Sequence, residues 1–84
     1  MAEHPNTFHL VIASVGETQF DGAAVSATIP GAAGEMTILS NHEPIVTTLK
    51  PGTITVRQTL GEPQEFAVES GVLEVSGNRA VVLL

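Results

Sequence analysis

Apolar and polar residues alternate with a period of two over much of this chain. In the segment TITVRQ (residues 53–58), Ile54 and Val56 point one way, and Thr53, Thr55 and Arg57 the other. In QEFAVE (residues 64–69), Phe66 and Val68 face inward while Glu65 and Glu69 face outward. This is the period of antiparallel strands with one covered face. The intervening QTLGEPQ reads as a hairpin loop. VLEVSGNRAVVLL adds two strands around Ser76-Gly77-Asn78, a second hairpin signal. FHLVIASV is different, with Phe8, Leu10 and Ile12 on one face and Val11, Ala13 and Val15 on the other. Such a strand is either covered on both sides or offers one face to a partner.

Glycine or proline recurs at short intervals, and valine, isoleucine and threonine supply more than a quarter of the residues. Both features favour short strands and oppose helices, and no 3.6-residue period is sustained. The pattern predicts an all-β domain, a sandwich or a barrel. At 84 residues it is a single domain, residues 1–84, with residues 1–6 expected to be flexible.

Charge narrows the possible partners. The net charge is −6 with only Lys50, Arg57 and Arg79 as cations, which opposes nucleic acid and anionic membrane surfaces. The longest wholly apolar run, residues 80–84, is far too short to span a bilayer, and the N-terminus lacks the pattern of a signal peptide. Membrane association is therefore expected only through a partner. Cysteine is absent, which excludes disulfides and thiolate metal sites.

Candidate chemistry is sparse. His4, His9 and His42 stand at no metal-ligand spacing, and adjacent His42 and Glu43 would point apart in an extended backbone. Gly31-Ala32-Ala33-Gly34 is followed by Glu35, which would repel phosphate, so the stretch reads as a tight turn needing positive φ. No serine has a nucleophile-elbow context. Neither a catalytic centre nor a cofactor or metal is expected. The polar positions that call for explanation are Glu35, His42, Glu43, Glu69 and Glu74.

The stretch ILSNHEPIVTTLKPG (residues 38–52) sets Asn41-His42-Glu43 between two apolar runs. Pro44 should hold the chain extended at Glu43. Lys50-Pro51-Gly52-Thr53 has proline and glycine where a type II turn needs them. Met36, Ile38, Leu39, Ile45, Val46 and Leu49 cannot all be core by alternation, so some must face a partner or a neighbouring strand.

In order, GAAGEMTILSNHEPIVTTLKPGTITV and EFAVESGVLEVSGNRAVVLL resemble the epsilon subunit of F-type ATP synthases. That family carries a G-x-x-G-E-x-G-I/V-L-P-G/N-H-x-P block, then L-x-T-x-L-K-P-G, then S-G-G-x-L-E-V. Here the matching residues are Gly31, Gly34, Glu35, Ile38, Leu39, Asn41, His42 and Pro44, then Thr47, Leu49, Lys50, Pro51 and Gly52, then Gly71, Leu73, Glu74 and Val75. FHLVIASVGETQFDG also fits, with Phe20 and Gly22 at a turn. The departures are Thr37, Ser40-Asn41 and Glu69-Ser70. Asn41 is a tolerable substitute for glycine, because asparagine visits the left-handed region more readily than most residues.

The resemblance implies a flattened β-sandwich of about ten short strands in two sheets. It also implies a non-catalytic rotor subunit of the central stalk, held by the gamma subunit and touching the c-ring, which couples proton movement to ATP synthesis. Ser14, His42, Thr47, Glu69 and Glu74 match gamma-facing positions, and Glu35 matches a c-ring contact. Many family members continue into a C-terminal helical hairpin that inhibits hydrolysis or binds ATP; ending at Leu84, this chain is expected to do neither. The expected location is the cytoplasmic face of the bacterial inner membrane, peripheral through the complex. The alternative from another class is a lipoyl- or biotinyl-type carrier domain, which would need its lysine at an exposed hairpin tip.

Overall fold

The computed structural model describes residues 6–84. The flexibility expected of residues 1–6 therefore falls, for 1–5 and with them His4, outside the described residues. Nine strands follow one another: β1 (Phe8–Ser14), β2 (Glu17–Ala24), β3 (Ser26–Gly31), β4 (Gly34–Leu39), β5 (Ile45–Leu49), β6 (Gly52–Arg57), β7 (Gln64–Val68), β8 (Gly71–Ser76) and β9 (Arg79–Leu83). The resemblance implied about ten. No helix occurs among the described residues.

Hydrogen bonding joins all nine strands into one sheet that folds over itself, in the order β2-β1-β9-β8-β5-β3-β6-β7, with β4 on the other edge of β3. The expected two sheets are thus two leaves of a continuous ladder. One leaf is β2-β1-β9-β8-β5, and the other is β4-β3-β6-β7. They share the edge of β3. Its first three residues pair with β6, while its last, Gly31, pairs with Leu49 of β5. All neighbouring strands are antiparallel except β1 and β9, which run parallel.

Alternation then builds the core. Leu10, Ile12, Leu73, Val75, Ala80 and Val82 from the first leaf meet Ala27, Ile29, Ile38, Ile54 and Val56 from the second. Each large aliphatic side chain buried in this way contributes about 1.5–3 kcal/mol. The residues read as inward in β6 and β7 are the inward ones: Ile54, Val56 and Val68 are buried and Phe66 is half-buried. Nothing polar or charged is buried among the described residues.

The Ser76-Gly77-Asn78 signal is a two-residue hairpin, with Ser76 paired to Arg79 and both Gly77 and Asn78 left-handed at φ 58° and 59°. Positive φ at both central positions marks the turn whose twist suits a hairpin. In the Gly31–Gly34 turn, the positive φ falls on Gly34.

Two expected turns are corrected. Phe20 and Gly22 lie within β2, where Phe20 pairs with Ile12 and Gly22 with Leu10; the turn is Val15-Gly16. Polar residues at 17–19 hide this strand from an apolar pattern, and Gln19 is left unpaired at a bulge between Ile12 and Ala13. Lys50-Pro51-Gly52 is no type II turn, since Gly52 does not have positive φ and is the first residue of β6. Here the chain crosses from one leaf to the other, with the Lys50 N–H donating to the Pro30 carbonyl at 3.0 Å. Glycine is required by close approach, because a Cβ at position 52 would lie 2.9 Å from the Pro30 Cβ.

Candidate functional site

The outer surfaces of the two leaves differ in chemistry. On the β2-β1-β9-β8-β5 leaf the strand register lines up Val46, Glu74, Val81, Val11 and Asp21 in one row. The next row is Thr48, Val72, Leu83, Ala13 and Thr18. Val46 is 69%, Leu83 57% and Val72 40% exposed, while Val11, Ala13 and Val81 are half-buried. Of the two arrangements that the pattern of β1 allows, this is the one with an open second face. A third row, Ser76, Arg79, His9 and Ala23, makes one end of the face polar. There His9 Nε2 and Asp21 Oδ1 lie 2.5 Å apart, both well exposed. Glu74, Ser76, Arg79 and Val81 line a shallow depression beside this pair.

The outer face of β4-β3-β6-β7 is polar. Thr37, Thr28, Thr55 and Glu65 form its central row, flanked by Leu39, Ser26 and Arg57. Water suits such a surface, whereas the open apolar face of the first leaf is the kind of surface that another protein covers.

The six residues singled out from the sequence are distributed around the sandwich. Ser14 closes β1 at its C-terminal end, Glu35 follows the Gly31–Gly34 turn, and Glu69 lies in the β7–β8 turn. The register puts these three at one end of the molecule. His42 lies at the other, on the β4–β5 connection, about seven residues and so about 20 Å of extended chain from Leu49. Glu74 sits inside the open face between Val46 and Val81. Thr47 is opposite Leu73, on the half-buried inner side of β5.

The local chemistry of His42 is that of a turn. Its ring Nδ1–H donates to the Glu43 carbonyl at 2.8 Å, so that nitrogen is not free for a metal. Asn41 before it is left-handed at φ 61°, the conformation for which asparagine substitutes tolerably for glycine. Asn41 and Asn78 are the only non-glycine residues of this kind among the described residues. Thr37 and Ser70, the other departures from the family pattern, are not left-handed. No group of three or more histidine or acidic residues is placed to hold a metal among the described residues.

Lys50, the residue a carrier domain would modify, lies at the corner between leaves, because β5 and β6 do not pair with each other. A hairpin tip is thus excluded for it.

Sequence reasoning missed Val72, Val81 and Leu83 as surface residues. For Val81 and Leu83 the signal was present in AVVLL, where apolar residues occupy both parities of one strand.

The sequence profile of the family described as "ATP synthase, Delta/Epsilon chain, beta-sandwich domain" matches residues 7–84. The chain belongs to the ATP synthase delta/epsilon beta-sandwich family. Among its relatives, the ATP synthase epsilon chains of Delftia acidovorans and Polaromonas naphthalenivorans are each 36% identical over 93% of this chain and 56% of their own length. The epsilon chain of Dichelobacter nodosus is 36% identical over 90% of this chain and 53% of its own. The chain therefore spans about half the length of the curated relatives it matches. The delta/epsilon fold recurs in solved structures. A chain of the Euglena gracilis mitochondrial ATP synthase superposes with a TM-score of 0.87 at 23% identity, over 98% of this chain and 52% of that one. A chain in the central stalk and c-ring of the Tetrahymena thermophila enzyme does so with a TM-score of 0.76 at 17% identity, over 89% and 60%.

Proposed function

We propose that this domain is the β-sandwich of a non-catalytic rotor subunit in the central stalk of an F-type ATP synthase. In this reading it joins the gamma subunit to the c-ring, so that ring rotation driven by protons reaches the catalytic head. The observation that carries it is the family match over residues 7–84, nearly the whole chain. One feature of the fold agrees with it. A largely apolar open face with a polar end suits a long-lived protein contact.

Ser14, His42, Thr47, Glu69 and Glu74 are proposed to meet gamma, and Glu35 the c-ring. An exposed ion pair at Glu35 is worth about 0–1 kcal/mol, so it orients the contact more than it tightens it. The complex is membrane-associated, and its proposed place is the cytoplasmic face of a bacterial inner membrane. Among the described residues no helix is long and apolar enough to cross a membrane, and the proposed association is through the partner subunits.

Because the chain has no cysteine, single cysteines are unambiguous cross-linking handles. Cysteine at position 42 or 47 should capture gamma in the assembled complex, and cysteine at position 35 should capture subunit c. Failure at both 42 and 47 would count against the gamma face. Unchanged proton-coupled synthesis after Glu35→Lys would remove Glu35 from the c-ring contact.

A further inference from the structure

Among the described residues β2, β7 and β4 each leave a full edge of the sheet unpaired, and β5 leaves the part of its edge before Leu49; of the full edges only one is left unprotected. β2 is interrupted by the bulge at Gln19 and carries Glu17 and Asp21. Its Ala23 carbonyl is capped by the Gln58 side-chain amide at 2.9 Å. β7 begins one residue after Pro63 and carries Glu65, and its Phe66 ring closes against Phe20 of β2, with centroids 5.9 Å apart. Bulges, charges, proline and covering side chains are how sheets avoid unwanted pairing. β4 has none of them beyond Glu35. It pairs only with β3, in six consecutive registered pairs with no bulge. Leu39 on it is 54% exposed.

The direction of its free groups follows from the ladder. The Pro30 carbonyl accepts from Lys50, and Ala32 N–H donates to the Thr48 carbonyl, so the groups of Gly31 between them face β4. Along an antiparallel pair these directions alternate. Gly34, Met36 and Ile38 of β4 therefore bond to β3, while the N–H and C=O of Glu35, Thr37 and Leu39 point outward.

We infer that the β4 edge is a docking site for an extended segment of a partner chain, added as a further strand. Six outward groups in a row specify a strand, and main-chain pairing of this kind is a recurring mode of protein recognition. Side chains set the segment's pattern. On the inner side it continues the core beside half-buried Met36 and buried Ile38, so apolar residues belong there. On the outer side it meets Thr37 and exposed Leu39, while the Glu35 carboxylate beside the turn is left to the c-ring, and cations suit the segment because this chain has a net charge of −6. The partner is sought in the stalk and in this respect rests on the proposed function; the docking mode rests on β4 alone.

The test uses purified gamma subunit as the probe and residue-resolved amide exchange as the readout. In the free domain the amides of Glu35, Thr37 and Leu39 should exchange fast, while those of Met36 and Ile38 are protected. In the complex the first three should slow by a hundredfold or more. Thr37→Pro removes an outward N–H without breaking a bond to β3, and edge strands tolerate such a proline. It should weaken gamma binding at least tenfold with the circular dichroism spectrum unchanged. If Thr37→Pro unfolds the domain, Leu39→Lys serves in its place. A complex in which those three amides still exchange freely would overturn the docking mode and leave the stalk reading standing. A domain that does not bind gamma at all would overturn both.

Discussion

The side-chain carbonyl of Asn78 accepts the backbone N–H of Asn41 at 2.7 Å, across 37 residues of sequence. The same side chain donates from its amide nitrogen to the Thr7 carbonyl at 3.0 Å. One asparagine at the tip of the β8–β9 hairpin thus ties the His42 turn to the start of β1. Both partners in the first bond are left-handed, so their backbone shape and their hydrogen bonding are fixed together.

Asn78→Ala should therefore cost more than a surface substitution. Two hydrogen bonds at about 0.5–1.5 kcal/mol each and a left-handed alanine at about 1 kcal/mol are lost together. The sum is about 2–4 kcal/mol in urea unfolding, which for a domain of this size lowers Tm by roughly 10–25 °C. Asn78→Gly keeps the backbone conformation and should recover only the last contribution. Equal stability of the two variants would show that backbone shape has no part in the effect.

The corner between the leaves gives a second expectation. Gly52→Ala places a methyl 2.9 Å from the Pro30 Cβ, and both are held by backbone. Overpacking of this kind costs about 1–3 kcal/mol. Denaturant unfolding checks it, and an unchanged midpoint would mean that the corner relaxes freely.

Phe20 and Phe66 meet edge to face at 73° and close the seam where β2 and β7 approach without a ladder. A double-mutant cycle through Phe20→Leu and Phe66→Leu should return a coupling of about 0.5–1.5 kcal/mol. Additive effects would mean that the rings merely share the seam.

The two outer faces should respond oppositely to charge. Val46→Glu and Leu83→Glu should each weaken gamma binding at least tenfold by calorimetry, with little change in Tm because both side chains already face water. Thr28→Glu and Thr55→Glu on the polar face should leave binding unchanged. The reverse result would put the gamma contact on the threonine face.

How much of this was written in the sequence differs by element. Ile54, Val56, Phe66 and Val68 carried a clean period of two, and Ser76-Gly77-Asn78 named its hairpin, because local propensity and packing agree there. β2 was obscured: ETQFDG has few apolar residues, and its bulge breaks the period. Gly52 was misread because Pro-Gly suits a turn whenever the flanking strands pair, and only the tertiary fold shows that these two lie in different leaves. The candidate site was least legible. Motif order names His42, Ser14 and Glu69 together, but no spacing rule reveals that the register puts them at opposite ends of the sandwich. The exposed edge of β4 is a property of what fails to pair, which no local pattern encodes.

The most direct test of the central claim is co-purification. The chain, carrying an affinity tag, is expressed in its source cells, and complexes are isolated from detergent-solubilised membranes and identified by mass spectrometry. The account predicts that gamma and subunit c are recovered with it, and that both are lost together when the membranes are stripped of the catalytic head and stalk. Recovery of the domain without gamma, or with a lipoyl- or biotin-dependent enzyme complex in its place, would contradict it.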